Sequence, residues 1–201
     1  MKNKGSVTFI EGNVINLCPL NLNHVNIYIK WMNDYRVRLY ARNVLPRTVE
    51  EWKKFFENQG TGQKNAIDFE IFHKKDEKPI GEIGLFDISW LYSRAIVGLS
   101  IGEIEYWNKG VCTEAIKLIS DYTFQELNLN KLYSHVFEPN INSYKCLEKN
   151  GFVREAILKQ DCYIDGKFVN TYIYSFFKED WMKMKEDKNR IVKLDENFNN
   201  R

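Results

Sequence analysis

The stretch EIEYWNKGVCTEAI, residues 103–116, joins a strand-like segment to a helical one through Lys109 and Gly110. The N-terminus of a helix exposes about four unpaired backbone N–H groups and carries a partial positive charge of roughly half a unit. A glycine there lets a ligand come close to the backbone. The candidate phosphate cradle consists of Asn108, Lys109, Gly110, Val111, Cys112 and Thr113.

A plain strand-to-helix turn is the competing interpretation of this stretch. The G-x-x-x-x-G-K-[ST] spacing of a P-loop is absent, and so is the G-x-G-x-x-G spacing of dinucleotide-binding folds. On local grounds the plain turn is the more frequent outcome, so the wider pattern of the chain has to decide.

That wider pattern predicts an α/β (α+β) domain built on a mixed sheet of about seven strands, with four or so flanking helices. Strands are expected at 7–18, 66–74, 79–90, 95–102 and 131–137, followed by a hairpin within 156–177. Helices are expected at 21–33, 48–58, 110–127 and 142–150.

Local signals mark the ends of several elements. Thr48 and Glu51 have the spacing of a capping box at the start of the second helix. Gly151 stands where helices often stop. Asp165 and Gly166 are typical of the two-residue turn of a hairpin.

Composition and charge limit the function classes. The 201 residues suit one domain, which we place at 7–181, with a charged C-terminal tail at 182–201. Lys and Arg total 29 against 27 Asp and Glu, and this balance argues against a nucleic-acid partner. No apolar run approaches the roughly 18 residues that span a bilayer, and residues 1–17 lack the apolar core of a secretion signal. We therefore expect a cytoplasmic protein without a membrane partner.

The cysteines and histidines do not form a recognisable metal site. No C-x-x-C pair occurs, and the three histidines are far apart in the sequence. Without a secretion signal, thiols are the expected state of all four cysteines, Cys18, Cys112, Cys146 and Cys162.

Residues 97–152 resemble the GNAT N-acetyltransferase superfamily, in particular its RimJ/RimL-like branch of ribosomal-protein N-terminal acetyltransferases. The family's acetyl-CoA loop, Q/R-x-x-G-x-G/A, falls on residues 107–112, where Gly110 matches and Trp107 and Cys112 depart from the pattern. A second signature, N-x-x-S/A-x-x-x-Y/L-x-K-x-G-F, fits Asn140, Ser143, Leu147, Lys149, Gly151 and Phe152. The resemblance extends over residues 7–181.

The resemblance implies acetyl-CoA as cosubstrate and a central sheet that splays apart between the strands at 95–102 and 131–137. Pantetheine would bond to the backbone of Leu99, Ser100 and Ile101, and the pyrophosphate to residues 108–113, with Asn140 as a further contact. The implied acceptor is a primary amine: a protein N-terminus, a polyamine, an amino sugar or an aminoglycoside. The resemblance is also compatible with a homodimer.

A base is needed because the acceptor amine must be neutral to react. Deprotonating an amine that titrates near 10.4 costs about 3 pK units at pH 7, roughly 4–5 kcal/mol of free energy. A carboxylate is the expected proton acceptor. The candidates are Glu82 and Asp87 on one strand and Glu70 on the strand before it. Side chains alternate along a strand, so only one of Glu82 and Asp87 faces the acceptor if the strand is regular. Ordinary solvent-facing charges are the competing interpretation.

The proton donor for the leaving thiolate is less clear, because Leu147 stands where many GNAT enzymes carry a tyrosine. Ser143 of the second signature is the first alternative, and Tyr144 and Cys146 follow it. Leu147 also keeps open a non-catalytic acyl-CoA sensor of the same fold.

The acceptor is expected to lie under the helix–loop region that covers it in this superfamily, represented here by Trp31, Tyr35, Arg36 and Arg38. Taken singly, each of these residues is more often a solvated loop residue or, for Trp31, a core residue. Acceptor specificity is expected in residues 31–60 and 155–170.

Overall fold

A mixed sheet of eight strands organises the structure, a computed structural model that describes residues 6–41, 44–57 and 64–187. The strands are β1 Ile10–Glu11, β2 Ile15–Pro19, β3 Ile67–His73, β4 Lys78–Ser89, β5 Arg94–Ile101, β6 Lys131–Phe137, β7 Val153–Ile164 and β8 Lys167–Phe177. Their order is β1-β2-β3-β4-β5-β6-β8-β7, and the β5–β6 pair is parallel while every other pair is antiparallel.

The predicted α/β fold with a mixed sheet is confirmed, with eight strands where about seven were expected. The extra strand arises at the N-terminus, where the segment predicted as one strand with a turn forms the two short strands β1 and β2 around residues 12–14.

Five α-helices and a C-terminal helical segment flank this sheet in the described residues. They are α1 Val25–Asn33, α2 Tyr35–Arg38, α3 Val49–Glu57, α4 Val111–Gln125 and α5 Ile141–Lys149, followed by helix at 178–187. None of the helices in these ranges is long and apolar enough to cross a membrane.

The capping box, the hairpin turn and the helix-ending glycine are all present as predicted. The Thr48 N–H donates to Glu51 Oε2 at 3.0 Å, and the Glu51 N–H donates back to Thr48 Oγ1 at 3.2 Å, which completes the capping box of α3. Asp165 and Gly166 both have positive φ, 48° and 81°, as the tight turn between β7 and β8 requires. Gly151 follows α5 with φ 89°.

The C-terminal helix continues past residue 181, where the domain was expected to end. Trp181 donates from Nε1 to Asp121 Oδ1 at 2.7 Å, and both Trp181 and Met184 pack against the core. Residues 182–187 therefore belong to this helix, and the remainder of the expected tail, 188–201, lies outside the described residues.

The two faces of β3, β4 and β5 differ in character because side chains alternate along each strand. One face carries apolar residues, among them Phe69, Ile83, Leu85 and Val97, which form the core with buried residues of α4 such as Ile119. The opposite face, which we call the polar face, carries Asp68, Glu70, Glu82 and Ser100, because Glu70 pairs with Glu82 and Glu82 with Ser100 in the register.

The parallel pair in the middle of the sheet is short. β5 and β6 are paired only from Arg94 with Lys131 to Ile96 with Tyr133, although both strands continue further. Residues 97–101 and 134–137 therefore diverge, which confirms the predicted splay and opens a gap in the sheet.

Candidate active site

A cavity of about 540 Å³ occupies this gap and continues over the polar face. The diverging strands contribute residues 97–100 and 134–137 to its wall, and the polar face contributes Asp68 and Glu82. The helices contribute Trp31 and Arg38 from α1 and α2, Cys112 from α4, and Asn140, Ser143 and Leu147 at α5. One continuous space thus joins the two motifs of the sequence to the acidic residues of the sheet.

The start of α4 has the form of an anion cradle. Gly110 precedes the helix with φ 82°, and a Cβ at this position would have nothing within 4 Å. No described side chain caps the helix, so its first backbone N–H groups are open to a ligand. Glu114 of the first turn does not fill this role, because its carboxylate accepts hydrogen bonds from the backbone N–H groups of Asn13 and Val14. The residues fit the pyrophosphate of the implied cosubstrate.

The loop before α4 is held against the end of β5. Trp107 donates from Nε1 to the carbonyl of Ile101 at 2.8 Å, which gives a structural role to the residue that replaces Gln or Arg in the family motif. Asn108 and Lys109 are exposed, and Lys109 Nζ lies 5.7 Å from the Tyr106 ring centroid. Leu99 and Ser100 line the cavity, whereas Ile101 is not part of its lining.

The expected thiol state of two cysteines is wrong: Cys112 and Cys146 form a disulfide between α4 and α5. Their Cα atoms are 6.4 Å apart, within the usual range for this bond. The folded packing of the two helices, rather than any sequence spacing, brings the pair together. Cys18 and Cys162 are free.

The candidate proton donors differ in whether they line the cavity. Ser143 and Leu147 line the cavity. Asn140 also lines it and caps α5, because its Oδ1 accepts the Ser143 N–H at 3.3 Å. Tyr144 is outside the lining and stacks on Tyr174, with ring centroids 6.3 Å apart and an interplanar angle of 3°. The structure therefore favours Ser143 over Tyr144 as a group that can reach the cavity.

Of the three carboxylates considered as bases, Glu82 is the one that lines the cavity. Its Oε1 is buried and forms no hydrogen bond within the described part of the chain. Burial raises the pKa of this carboxyl to about 7, and the nearby charges of Asp68 and Glu70 act in the same direction. A carboxylate whose pKa lies near neutral pH is suited to accept a proton.

The other two carboxylates considered as bases do not line the cavity. Glu70 is fully buried, and its Oε2 accepts from the Tyr28 hydroxyl at 2.5 Å and lies 2.8 Å from His24 Nδ1. Asp87 is exposed on β4, where φ is 47° and the pairing with β5 is interrupted by a bulge. The alternation that separates Asp87 from Glu82 is thus broken locally, but Asp87 still lies outside the cavity.

Asp68 is a cavity residue that the sequence interpretation missed. It lies on β3, two residues before Glu70 and on the same face. Burial raises its pKa to about 6, and the charge of Lys64 offsets this only in part. The detectable signal was a second acid at alternate spacing in the otherwise apolar segment AIDFEIF.

The predicted acceptor-covering residues divide into two groups. Trp31 is buried, lines the cavity and donates from Nε1 to Glu103 Oε1 at 2.7 Å, and Arg38 also lines the cavity. Tyr35 and Arg36 are exposed and outside the lining: Tyr35 donates to Asp165, and Arg36 forms an ion pair with Asp34. Of the wider acceptor region, residues 42–43 and 58–60 lie outside the described residues.

Residues 15–153 match the sequence model of the family described as Acetyltransferase (GNAT) domain. The uncharacterized N-acetyltransferase p20 of Bacillus licheniformis is 27% identical over 170 residues, which are 83% of this chain and 94% of that protein. The spermidine N(1)-acetyltransferase of Escherichia coli K12 is 33% identical over 107 residues, 53% of this chain and 57% of that protein.

Among solved structures, the spermidine N-acetyltransferase from Vibrio cholerae in complex with CoA and spermine has the same fold. The TM-score is 0.79 at 20% sequence identity, over 85% of this chain and 99% of that one.

Proposed function

The chain belongs to the GNAT acetyltransferase family, and on this basis we propose that it transfers the acetyl group of acetyl-CoA to a small primary amine, with Glu82 as proton acceptor. The observation that carries the proposal is the buried Glu82 Oε1, which has no hydrogen-bond partner among the described residues, in a cavity that also touches the start of α4 at Cys112.

Each part of the cavity has a task in this reaction. Acetyl-CoA supplies an activated thioester, which the N–H groups at the start of α4 and the backbone of β5 hold beside Glu82. Glu82 takes a proton from the ammonium group, which leaves a neutral amine. The amine nitrogen then bonds to the acetyl carbon, the carbon–sulfur bond breaks, and the second proton of the nitrogen passes to solvent. Ser143 passes a proton from solvent to the departing sulfur. The amine attacks directly, so no acetylated protein residue is required.

A small acceptor is supported by the shape of the site. Glu82 lies on the polar face in a cavity of about 540 Å³, whose lining includes Trp31 and Arg38. The relatives named as spermidine acetyltransferases support a small-molecule amine. The resemblance to the RimJ/RimL-like branch makes a protein N-terminus the competing acceptor.

An amine panel tests the proposal. The purified protein with acetyl-CoA is given aliphatic amines, spermidine, amino sugars and peptides with free N-termini, and release of the CoA thiol is followed. We expect steady release with a small amine, and we expect Glu82→Gln to lower kcat by about 10²–10³-fold. Asp87→Asn is the matched control, since it removes a carboxylate of the same strand that lies outside the cavity.

Cofactor binding is measured separately from turnover. Acetyl-CoA should raise the melting temperature of the wild type, because a ligand that binds only the folded state stabilises it. Gly110→Asp should remove this shift, because it places a negative charge in the anion cradle. Stabilisation without thiol release from any amine would favour the non-catalytic acyl-CoA sensor and overturn the proposed transferase.

A further inference from the structure

Asp68 places a second carboxylate in the cavity, on the strand next to the one that carries Glu82. In the β3–β4 register it lies opposite Gly84. Its Oδ1 is only 2.8 Å from the point where a Cβ at residue 84 would stand. The carboxylate therefore fills space that the missing side chain of Gly84 leaves open, at the wall of the cavity.

Neither of these two carboxylates is paired with a cationic side chain in the described part of the chain, although the charge of Lys64 partly offsets the raised pKa of Asp68. Among the described residues, none of the ion pairs involves Asp68 or Glu82. Arg38 lines the same cavity without forming one of these pairs. Burial works against the charged form of both carboxyls, as their raised pKa values indicate. Buried carboxylates are normally paired with a positive charge, so the partner is expected to come from a ligand.

The sheet fixes the direction in which such a ligand would lie. β5, which lines the cofactor gap, is followed by β4 with Glu82 and then by β3 with Asp68. Neighbouring strands are roughly 4.8 Å apart, and diagonal neighbours such as Asp68 and Glu82 are separated by about 7–8 Å. Asp68 is therefore one strand further from the cofactor than Glu82, on the same face.

We infer that the acceptor carries a second positively charged nitrogen, which Asp68 binds while the reacting nitrogen lies at Glu82. An aliphatic diamine or polyamine extended across β4 and β3 supplies both charges. A monoamine supplies only one of them. The inference rests on the proposed function for the role of Glu82, and it makes Asp68 the residue that selects the acceptor class.

Two amines with the same carbon chain test this assignment, 1,4-diaminobutane and n-butylamine. In the wild type we expect kcat/KM for the diamine to exceed that for the monoamine by about 10- to 100-fold, because only the diamine pairs with both carboxylates. Asp68→Asn should raise the KM for the diamine by about 10- to 50-fold and change its kcat much less. The monoamine should be affected only a few-fold.

Two further variants refine the comparison. Asp68→Glu keeps the charge and should restore most of the diamine preference, whereas a merely structural role of Asp68 would not distinguish the two amines. Asp87→Asn removes a charge outside the cavity and should keep the wild-type preference. A diamine preference that survives in Asp68→Asn would overturn the inference.

Equilibrium binding separates this inference from the proposed function. Titration calorimetry of 1,4-diaminobutane, with CoA present, should show at least about tenfold weaker binding to Asp68→Asn than to the wild type. Asp68-dependent binding without thiol release would support the second-charge site and reject the transferase. Thiol release with diamine binding unchanged in Asp68→Asn would support the transferase and reject the second-charge site.

Discussion

Glu70 and Glu82 lie opposite each other on β3 and β4 and project from the same face of the sheet. Glu70 is surrounded by donors: the Tyr28 and Ser6 hydroxyls donate to it, and His24 lies within hydrogen-bond distance. The Oε1 of Glu82 is equally removed from solvent and has no such donor. Glu70 is therefore part of the structural framework, whereas Glu82 is the carboxylate that we propose as proton acceptor.

The difference shows how the same residue type serves two roles at adjacent positions. A buried carboxylate with several donors lowers the free energy of the folded state only as long as those donors remain. A buried carboxylate without donors destabilises the folded state when it is charged. Such groups occur at functional sites, where a positively charged or proton-donating substrate can pair with the carboxylate.

The largest expected effect is on stability and separates the two glutamates. Glu70→Gln should lower the free energy of unfolding by about 2–4 kcal/mol, because an amide cannot accept all the hydrogen bonds that the carboxylate accepts. For a chain of this size the melting temperature should fall by roughly 5–15 °C. Thermal unfolding followed by circular dichroism at pH 8 measures it.

Glu82→Gln is the matched variant in the same experiment and should be neutral or stabilising. The folded state raises the pKa of Glu82 from 4.5 to about 7, so it binds more protons than the unfolded state between these values. The stability of the wild type therefore falls as the pH rises through this window. At pH 8 the wild type carries the full destabilisation from the charged Glu82 carboxylate, and the neutral glutamine removes it. Equal losses in both variants would contradict the distinction between the two residues.

The fold was largely predictable because its signals are local. The helix starting at Thr48, the turn at Asp165 and Gly166, and the glycine before α4 each depend on residues a few positions apart. The alternation of apolar residues also predicted β3, β4 and β5 within one or two positions. Eight strands replaced seven only because a short turn divided the first one.

The roles within the site were less predictable because they depend on distant partners. Glu70 meets Tyr28 and His24 across 42 and 46 residues of sequence, so nothing near it indicates that it is satisfied. Cys112 and Cys146 are separated by 34 residues. The segments DFEIF and GEIGLF look alike as sequence. Their glutamates differ because Tyr28, His24 and Ser6 contact Glu70, whereas Glu82 Oε1 has no described partner.

The next largest effect is on the pH dependence of turnover, which should follow Glu82. Since the pKa of its carboxyl is raised to about 7, the base form is lost as the pH falls below that value. We expect kcat/KM for a small amine to fall about tenfold per pH unit below the break. Initial rates of thiol release from pH 5.5 to 9 measure this.

Variants at both glutamates sharpen the same profile. Glu82→Gln should remove the break at about pH 7. Glu70→Gln, assayed at a temperature where it is folded, should keep the break but move it to lower pH, because the charge of Glu70 helps to raise the pKa of Glu82. A break that persists unchanged in Glu82→Gln would assign the titration to another group.

The smallest effect is expected at the other end of the reaction, where a proton reaches the leaving sulfur. Ser143 lines the cavity at the first turn of α5 and is partly exposed to solvent. Glu82 Oε1, in contrast, is buried. Water can therefore replace the serine more readily than it can replace the base. Ser143→Ala should lower kcat by about 10- to 100-fold, at or below the low end of the usual range for a proton donor, since a thiolate is already a fair leaving group. The KM for acetyl-CoA should change little, because the lost contact belongs to the transition state.

Tyr144→Phe is the control, since Tyr144 stacks on Tyr174 outside the cavity. Loss of turnover in Tyr144→Phe together with full activity in Ser143→Ala would transfer the role to the tyrosine. Full activity in both would identify water as the donor and leave Ser143 as a residue at the start of a helix.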